Sequence, residues 1–192
     1  MRGSGAQPGD CLVLTKGIAI EGTAVLAREA GKALQNLEVP AAVLEQARDY
    51  IFRPGLSVVR EALLAVESAV VHAMHDPTEG GLATALYELA TASGAGVLVQ
   101  EAAIPVLPCT EAICRAATLE PLGLLASGAL LIALPSADCD TLLARLAEAD
   151  IAAACIGAVT PQSAGVIMER RIGSREPLPQ FARDEVARFL AQ

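Results

Sequence analysis

Two histidines and a run of acidic, hydroxyl and glycine residues stand close together near the middle of the chain. His72 and His75 are the only histidines, and His75 opens the run His-Asp-Pro-Thr-Glu-Gly-Gly, residues 75–81. Side chains of these types can transfer protons or contact a phosphate, and His75 is a candidate for either role. Residues three apart in a strand point to opposite faces, so His72 and His75 are not expected to share a metal ion.

Each polar residue of this run has a structural and a functional interpretation. Asp76 is a favoured helix N-cap, and Glu79 three residues later completes a capping box. Alternatively, the carboxylate of Asp76 or Glu79 contacts Mg²⁺ or substrate, and the Thr78 hydroxyl donates to a phosphate. Lys16, which follows a predicted strand, is either a solvated surface lysine or a phosphate contact.

The pair Gly80-Gly81 is unusual at the start of a helix. Glycine inside a helix costs about 0.5–1 kcal/mol relative to alanine, so two together indicate a close approach to the backbone. The approaching group is either a neighbouring element of the chain or an anion, because the N-terminus of a helix favours negative charge. The run matches neither a Walker loop nor a GxGxxG fingerprint. No nucleophile and base are paired elsewhere in the sequence.

Alternating strands and helices must position these residues. An apolar stretch, 69–74, predicts a strand before the run, and leucines at three- and four-residue spacing predict a helix after it, ending at Ser93-Gly94. The late strands are joined by short links, which favours a mixed sheet covered by helices over a purely parallel one. Further strands are predicted at 11–15, 97–100, 128–134, 153–159 and 165–169. Further helices are predicted at 21–34, 40–50, 58–67, 110–117, 136–149 and 183–190.

The composition limits the partners. The chain has 192 residues, is 53% hydrophobic and carries a net charge of −8. A negative charge disfavours nucleic acid and anionic membranes, and no run is a convincing apolar span of about 20 residues. The five cysteines are scattered without a CxxC spacing, which predicts reduced thiols in a soluble cytoplasmic protein and no metal site.

The motif His-Asp-Pro-Thr-Glu-Gly-Gly-Leu-Ala-Thr, residues 75–84, resembles the glycine-rich motif of the C-terminal domain in the aminoimidazole ribonucleotide (AIR) synthase superfamily. Residues 8–16, 21–24 and 122–132 are similar to other parts of that domain and fall in the same order. The resemblance covers about residues 8–170. It is nearest to the branch that holds the AIR synthase-related proteins and the hydrogenase maturation carbamoyl dehydratases.

The resemblance implies both a fold and a chemistry. Its members have a layered α/β sandwich around a mixed sheet, and they generally act as homodimers that use ATP and Mg²⁺ to phosphorylate an oxygen. For this chain it implies a cleft lined by Asp76, Thr78, Glu79, Gly80 and Gly81 that binds substrate or phosphate. The dehydratases carry a C-terminal cysteine, whereas the last cysteine here is Cys155, so AIR synthase, formylglycinamidine synthase and the thiamine-phosphate and selenophosphate kinases stay open as branches.

The resemblance also implies a division of the chain. We expect residues 1–7 to form a flexible leader or linker, 8–172 the AIR-synthase-like domain, and 173–192 a tail with a short helix. The N-terminal ATP-binding domain of the family is missing from this sequence, so the chain alone is expected to be catalytically silent. The alternative function is a dimerisation or partner-docking module whose glycines serve packing alone.

Overall fold

A computed structural model of the protein describes residues 3–191. Within them the chain forms seven strands and eight α-helices. The strands are β1 (Asp10–Thr15), β2 (Ala73–His75), β3 (Gly96–Gln100), β4 (Leu131–Pro135), β5 (Ala153–Thr160), β6 (Val166–Glu169) and β7 (Arg175–Pro177). The helices are α1 (Ile20–Glu29), α2 (Gly31–Asn36), α3 (Ala41–Arg48), α4 (Val59–Ser68), α5 (Gly81–Ser93), α6 (Pro108–Ala117), α7 (Cys139–Glu148) and α8 (Glu185–Leu190).

All seven strands form one mixed sheet in the order β2-β4-β1-β5-β3-β6-β7. Only β3 and β6 pair in parallel, and the other neighbours are antiparallel. The side chains of successive residues in β1 point to opposite faces of the sheet, as strand geometry requires. Leu12 and Leu14 enter a large aliphatic core under α1, α3, α5 and α6, whereas Cys11 and Val13 enter a smaller core under α4 and α7. The predicted α/β sandwich with a mixed sheet is confirmed.

The two predicted terminal segments are packed against the domain. In the predicted leader, the N–H groups of Gly5 and Ala6 lie 3.3 and 3.2 Å from Ser93 Oγ, and Ala6 is buried. In the predicted tail, β7 extends the sheet, and Leu178 and Val186 belong to the large core. Residues 1, 2 and 192 lie outside the described range. Described residues on both sides of the predicted boundaries at 7 and 172 thus contact the rest of the domain.

Two helices differ from their predicted extents by several residues, and each difference has a local cause. The helix predicted at 21–34 divides at Ala30, whose backbone leaves helical geometry between α1 and α2. The helix predicted from Asp76 begins only at Gly81, because Gly80 adopts a left-handed conformation. None of the helices formed by residues 3–191 combines the length and apolar character needed to cross a bilayer.

Candidate functional site

The candidate site is the turn that joins β2 to α5, residues 76–81, which we call the glycine turn. Strands β1 and β2 lie on either side of β4 and are both antiparallel to it, so the carboxyl ends of β1 and β2 meet at one edge of the sheet. The segment 121–128, which leads into β4, lies at this edge between the starts of α1 and α5. Ala126 N–H donates to the Thr78 carbonyl at 3.1 Å and joins this segment to the turn.

Close packing requires both glycines of the turn. Gly80 and Gly81 have φ values of +76° and +68°, in the region where an L side chain is strained. A Cβ on Gly81 would overlap the Leu122 carbonyl oxygen and lie 2.7 Å from that of Leu124, and one on Gly80 would overlap the Thr84 hydroxyl. A neighbouring element, the segment 121–128, therefore approaches the backbone closely at Gly81.

The predicted capping box is wrong. Helix α5 begins at Gly81, five residues after Asp76, and its N-cap is Gly80 without a side-chain cap. The left-handed conformations of Gly80 and Gly81 prevent the helix from extending back to Pro77. Asp76 and Glu79 are thus free of the structural role that the sequence pattern indicated, and both are exposed, as is Thr78 between them.

The backbone N–H groups of both glycines already have acceptors. Gly81 N–H donates to the Thr78 carbonyl at 3.1 Å, and Gly80 N–H donates to Asp184 Oδ2 at 2.8 Å. The other carboxylate oxygen of Asp184 accepts from Val186 N–H and caps α8. The Asp184 carboxylate, from a distant part of the chain, therefore occupies the position where an oxyanion would bind the Gly80 amide.

The two histidines contact separate carboxylates. His72 Nδ1 lies 2.9 Å from Asp10, which is buried, and His75 Nε2 lies 2.7 Å from the exposed Glu88 on α5. Glu88 also lines a groove of about 430 Å³ that runs along α5. The other residues lining this groove are Thr84, Tyr87, Thr91, Ala92, Gln180 and Phe181. His75 therefore connects the end of β2 to a groove beside the glycine turn.

Glu79 carries the one shifted pKa within the turn. Its own backbone N–H and the Thr78 hydroxyl donate to the carboxylate and lower the pKa below the usual value of 4.5. Hydrogen bonds to an ionised carboxylate favour the charged form. The turn thus presents a carboxylate that stays charged at neutral pH, beside a hydroxyl and a second exposed acid, Asp76.

Lys16 is at the same edge of the sheet, but its side chain points away from the turn. It is buried, and its ammonium lies 2.8 Å from Glu61 and donates to the carbonyls of Ser57 and Gly55. The predicted solvated lysine is therefore wrong. Lys16 borders a separate cavity of about 580 Å³, together with Arg53 and Arg60, and Glu61 must release it before it can bind a phosphate.

Sequence reasoning missed Glu61, Glu88 and Asp184, each of which holds a predicted site residue through a long-range contact. The sequence contained a signal only for Asp184, because an aspartate before Glu-Val-Ala-Arg predicts an N-cap. Its second bond, to Gly80, had no sequence signal. Phe181 was missed in the same way, although its ring packs where Gly123 leaves room.

This architecture is that of an α/β domain with a glycine-bearing helix start at the edge of the sheet where β1 and β2 end. Residues 7–169 match the family described as AIR synthase related protein, C-terminal domain, and the chain belongs to that family. The resemblance drawn from residues 75–84 is thereby confirmed.

Individual relatives point to one branch of the family. The chain is 35% identical over 144 residues to the carbamoyl dehydratase HypE of Cupriavidus necator, covering 75% of this chain and 38% of that protein. A crystal structure of the hydrogenase maturation protein HypE is 29% identical with a TM-score of 0.74, over 93% of this chain and 55% of that one. A HypE crystal structure in complex with ATP is 26% identical with a TM-score of 0.69, over 96% and 54%. The chain spans about half, or less, of the length of these relatives.

Proposed function

We propose that this chain is the C-terminal domain of an ATP-dependent, HypE-like enzyme and that its glycine turn closes the active-site cleft. The observation that carries the proposal is the similarity of almost the whole chain to about half of a HypE that binds ATP. The remaining half of such a protein would supply an N-terminal domain that holds most of the nucleotide. The enzyme would be a homodimer in the cytoplasm, where the free cysteines stay reduced.

Within that enzyme the turn would contact the substrate or its phosphoryl group. Thr78 would donate its hydroxyl to a phosphate, and the carboxylates of Asp76 and Glu79 would face Mg²⁺ when ATP is bound. These three side chains are exposed and none of them caps a helix, so a ligand can reach them once the Thr78 hydroxyl turns from the Glu79 carboxylate. Gly80 N–H would join them if Asp184 moved away, and His75 would act from the end of β2. Lys16 would contribute only after release from Glu61.

A catalytic assay tests the division of labour between the two domains. We expect the isolated chain to show no turnover of ATP with Mg²⁺, because one half of the cleft is absent. Measurable ATP hydrolysis that co-purifies with the isolated chain would contradict this part of the proposal. Hydrolysis that a column step separates from the chain would instead come from a contaminant.

Phosphate titration tests the turn itself. We expect inorganic phosphate to shift the amide resonances of Thr78, Glu79 and Gly80, and D184N to strengthen this binding because it removes the competing carboxylate. The matched control is D138N, since Asp138 also accepts a backbone N–H, that of Val70, on another part of the surface. If millimolar phosphate leaves the turn unshifted in both D184N and the unmodified chain, the turn is not an anion site.

A dimerisation or docking module is the second candidate function. The observation that favours it is an exposed apolar stripe on α4, where Val59, Leu63 and Val66 are 63%, 54% and 43% exposed. These spacings place the three side chains on one helix face. Sedimentation of the chain tests it. A dimer that L63K dissociates would support this function, and a monomer at high concentration would contradict dimerisation through α4.

A further inference from the structure

Three cysteines from three different elements meet on one face of the sheet. Cys11 lies in β1, Cys155 in the neighbouring strand β5, and Cys139 is the first residue of α7. Their sulfur atoms all lie within 4.8 Å of one another. The other two cysteines, Cys109 and Cys114, lie on α6 in the large core on the opposite face.

The register of the sheet brings the first two thiols together. Cys155 pairs with Val13, and Cys11 is two residues from Val13 on the same face of β1. Side chains in such diagonal positions of an antiparallel pair are within reach of one another. Helix α7 then places Cys139 over the two strands. Cys11 and Cys139 are buried and Cys155 is partly exposed, so the cluster opens to solvent on the side of Cys155.

Hydrogen bonding and burial shift the pKa values of the three thiols in different directions. Hydrogen bonding from the Cys11 thiol lowers the pKa of Cys155 to about 6. The same bond, together with burial, raises the pKa of Cys11, and burial raises the pKa of Cys139. A thiolate is the form of cysteine that binds metals, so metal binding removes protons from this cluster.

We propose that Cys11, Cys139 and Cys155 form a binding site for one thiophilic d¹⁰ metal ion, Zn²⁺ or Cu⁺. Three sulfurs around an ion at a bond length of about 2.3 Å are roughly 4 Å apart, so small side-chain shifts convert the cluster into a three-sulfur site. Thiolate ligands select Zn²⁺ and Cu⁺ over hard cations. Zn²⁺ suits the apolar surroundings better, because three thiolates leave a net charge of −1 on Zn²⁺ and −2 on Cu⁺.

Binding can be written as a balanced exchange of protons for metal. Zn²⁺ forms three bonds to sulfur, and each cysteine that is a thiol before binding releases its proton to solvent. No oxidant is needed. Water would complete the coordination of Zn²⁺ on the exposed side, as in sites with three protein ligands. The site would be a second one, on the sheet face away from α5.

Cobalt titration of the full, metal-free chain in a phosphine reductant tests the site. We expect one Co²⁺ per chain with a sulfur-to-cobalt charge-transfer absorption and with release of protons as Co²⁺ binds, and stoichiometric Zn²⁺ should then displace the Co²⁺. An anaerobic Cu⁺ titration in parallel shows which of the two ions binds more tightly. C11A, C139A and C155S should each weaken Co²⁺ binding at least tenfold.

The controls are C109A and C114A, which remove buried cysteines outside the cluster and should leave the absorption unchanged. Because C11A and C139A open holes in a core, C155S at the partly exposed position is the decisive variant. The proposal is overturned if the unmodified chain gives no charge-transfer band. It is equally overturned if C155S, with an unchanged thermal unfolding transition in the absence of metal, binds Co²⁺ as tightly as the unmodified chain.

Discussion

The starts of α1 and α5 lie on opposite sides of β4 and hold the same segment, 121–128, in different ways. Both N-caps, Ala19 and Gly80, have left-handed backbones. At α1 the amides of Glu21 and Gly22 donate to carbonyls of this segment, those of Ser127 and Leu125. At α5 the Gly80 amide donates instead to the carboxylate of Asp184.

The approaches to the two helices differ as well. Ile18 and Ala19 before α1, and Ile20 at its first position, are at most 1% exposed, whereas the polar residues before α5 face solvent. A helix start closed by backbone and apolar groups serves packing. A helix start closed by one side chain, with exposed acids beside it, can exchange that side chain for a ligand. This difference is the reason that the proposed site is at the start of α5 and not at that of α1.

The largest effect should come from G81A. Alanine there is strained at φ +68° and would overlap two backbone carbonyls of the 121–128 segment, so we expect a loss of about 3 kcal/mol in the free energy of unfolding. The matched control is G94A at the other end of α5, where φ is +60° and nothing lies near the added atom, with an expected loss of about 1 kcal/mol. Equal losses in urea titration would show that strain alone acts at Gly81.

D184A should rank second, with a loss of about 2 kcal/mol. It removes the cap of α8 and leaves the buried Gly80 amide without its charged acceptor. The control D138A removes an aspartate that bonds an exposed backbone amide, and it should cost less than about 0.5 kcal/mol. Urea titration compares the two. A D184A loss as small as that of D138A would mean that the α5 start is already satisfied by other groups.

G22A tests the α1 side of the comparison and should cost about 1 kcal/mol. A Cβ there would lie 2.8 Å from the Leu125 carbonyl oxygen and from a Leu124 methyl group, but the residue is helical and alanine favours a helix. Thermal unfolding of G22A and G81A, measured side by side, ranks the losses of stability from the two substitutions. If G22A were the more damaging substitution, the α1 start would be the tighter of the two contacts.

The pH dependence of E185Q tests how the segment around α8 is anchored. Arg188 and the Glu120 amide bond the Glu185 carboxylate and lower its pKa below the usual 4.5. Because the folded-state pKa is depressed, this stabilisation is present above pH 4.5 and is lost as the pH falls below that value. We expect E185Q to be about 1 kcal/mol less stable at pH 7, and the gap to close in acid. A gap that is constant with pH would point to a packing effect.

E88A should have the smallest effect, below about 0.5 kcal/mol. It breaks the bond from His75 to an exposed carboxylate, and exposed ion pairs contribute little to stability. E148A, which breaks the exposed pair with Arg145 on α7, is the control and should behave alike. A clearly larger loss in E88A, measured by urea titration, would mean that His75 is structural.

Local patterns in the sequence predicted most of the fold. Apolar alternation and helix periodicity located six of the seven strands and the helices, and the motif at residues 75–84 identified the family. Strand β7 was missed because its three residues, Arg-Glu-Pro, are polar and form a strand only by pairing with β6. The capping box was wrong because a nearby signal, Asp76 with Glu79, competed with a requirement set by the distant Leu122 carbonyl.

The candidate site was less predictable than the fold because its partners are far apart in sequence. The Lys16–Glu61 and His75–Glu88 pairs and the Gly80–Asp184 bond depend on tertiary packing, which no local pattern encodes. The three-cysteine cluster likewise depends on the register of β1 with β5. Side-chain types indicate which residues could do chemistry, whereas the pairing of the strands and the packing of the helices determine which of them are close together.

The Gly80–Asp184 contact joins residues 104 positions apart and has a consequence for synthesis. When a ribosome adds Asp184, it has long since made β2, the glycine turn and α5, but the carboxylate that closes the start of that helix is still inside the ribosome. The Gly80 amide therefore stays available to water or to an anion until Asp184 has left the ribosome. The order of synthesis alone gives the nascent domain an open form before its closed one.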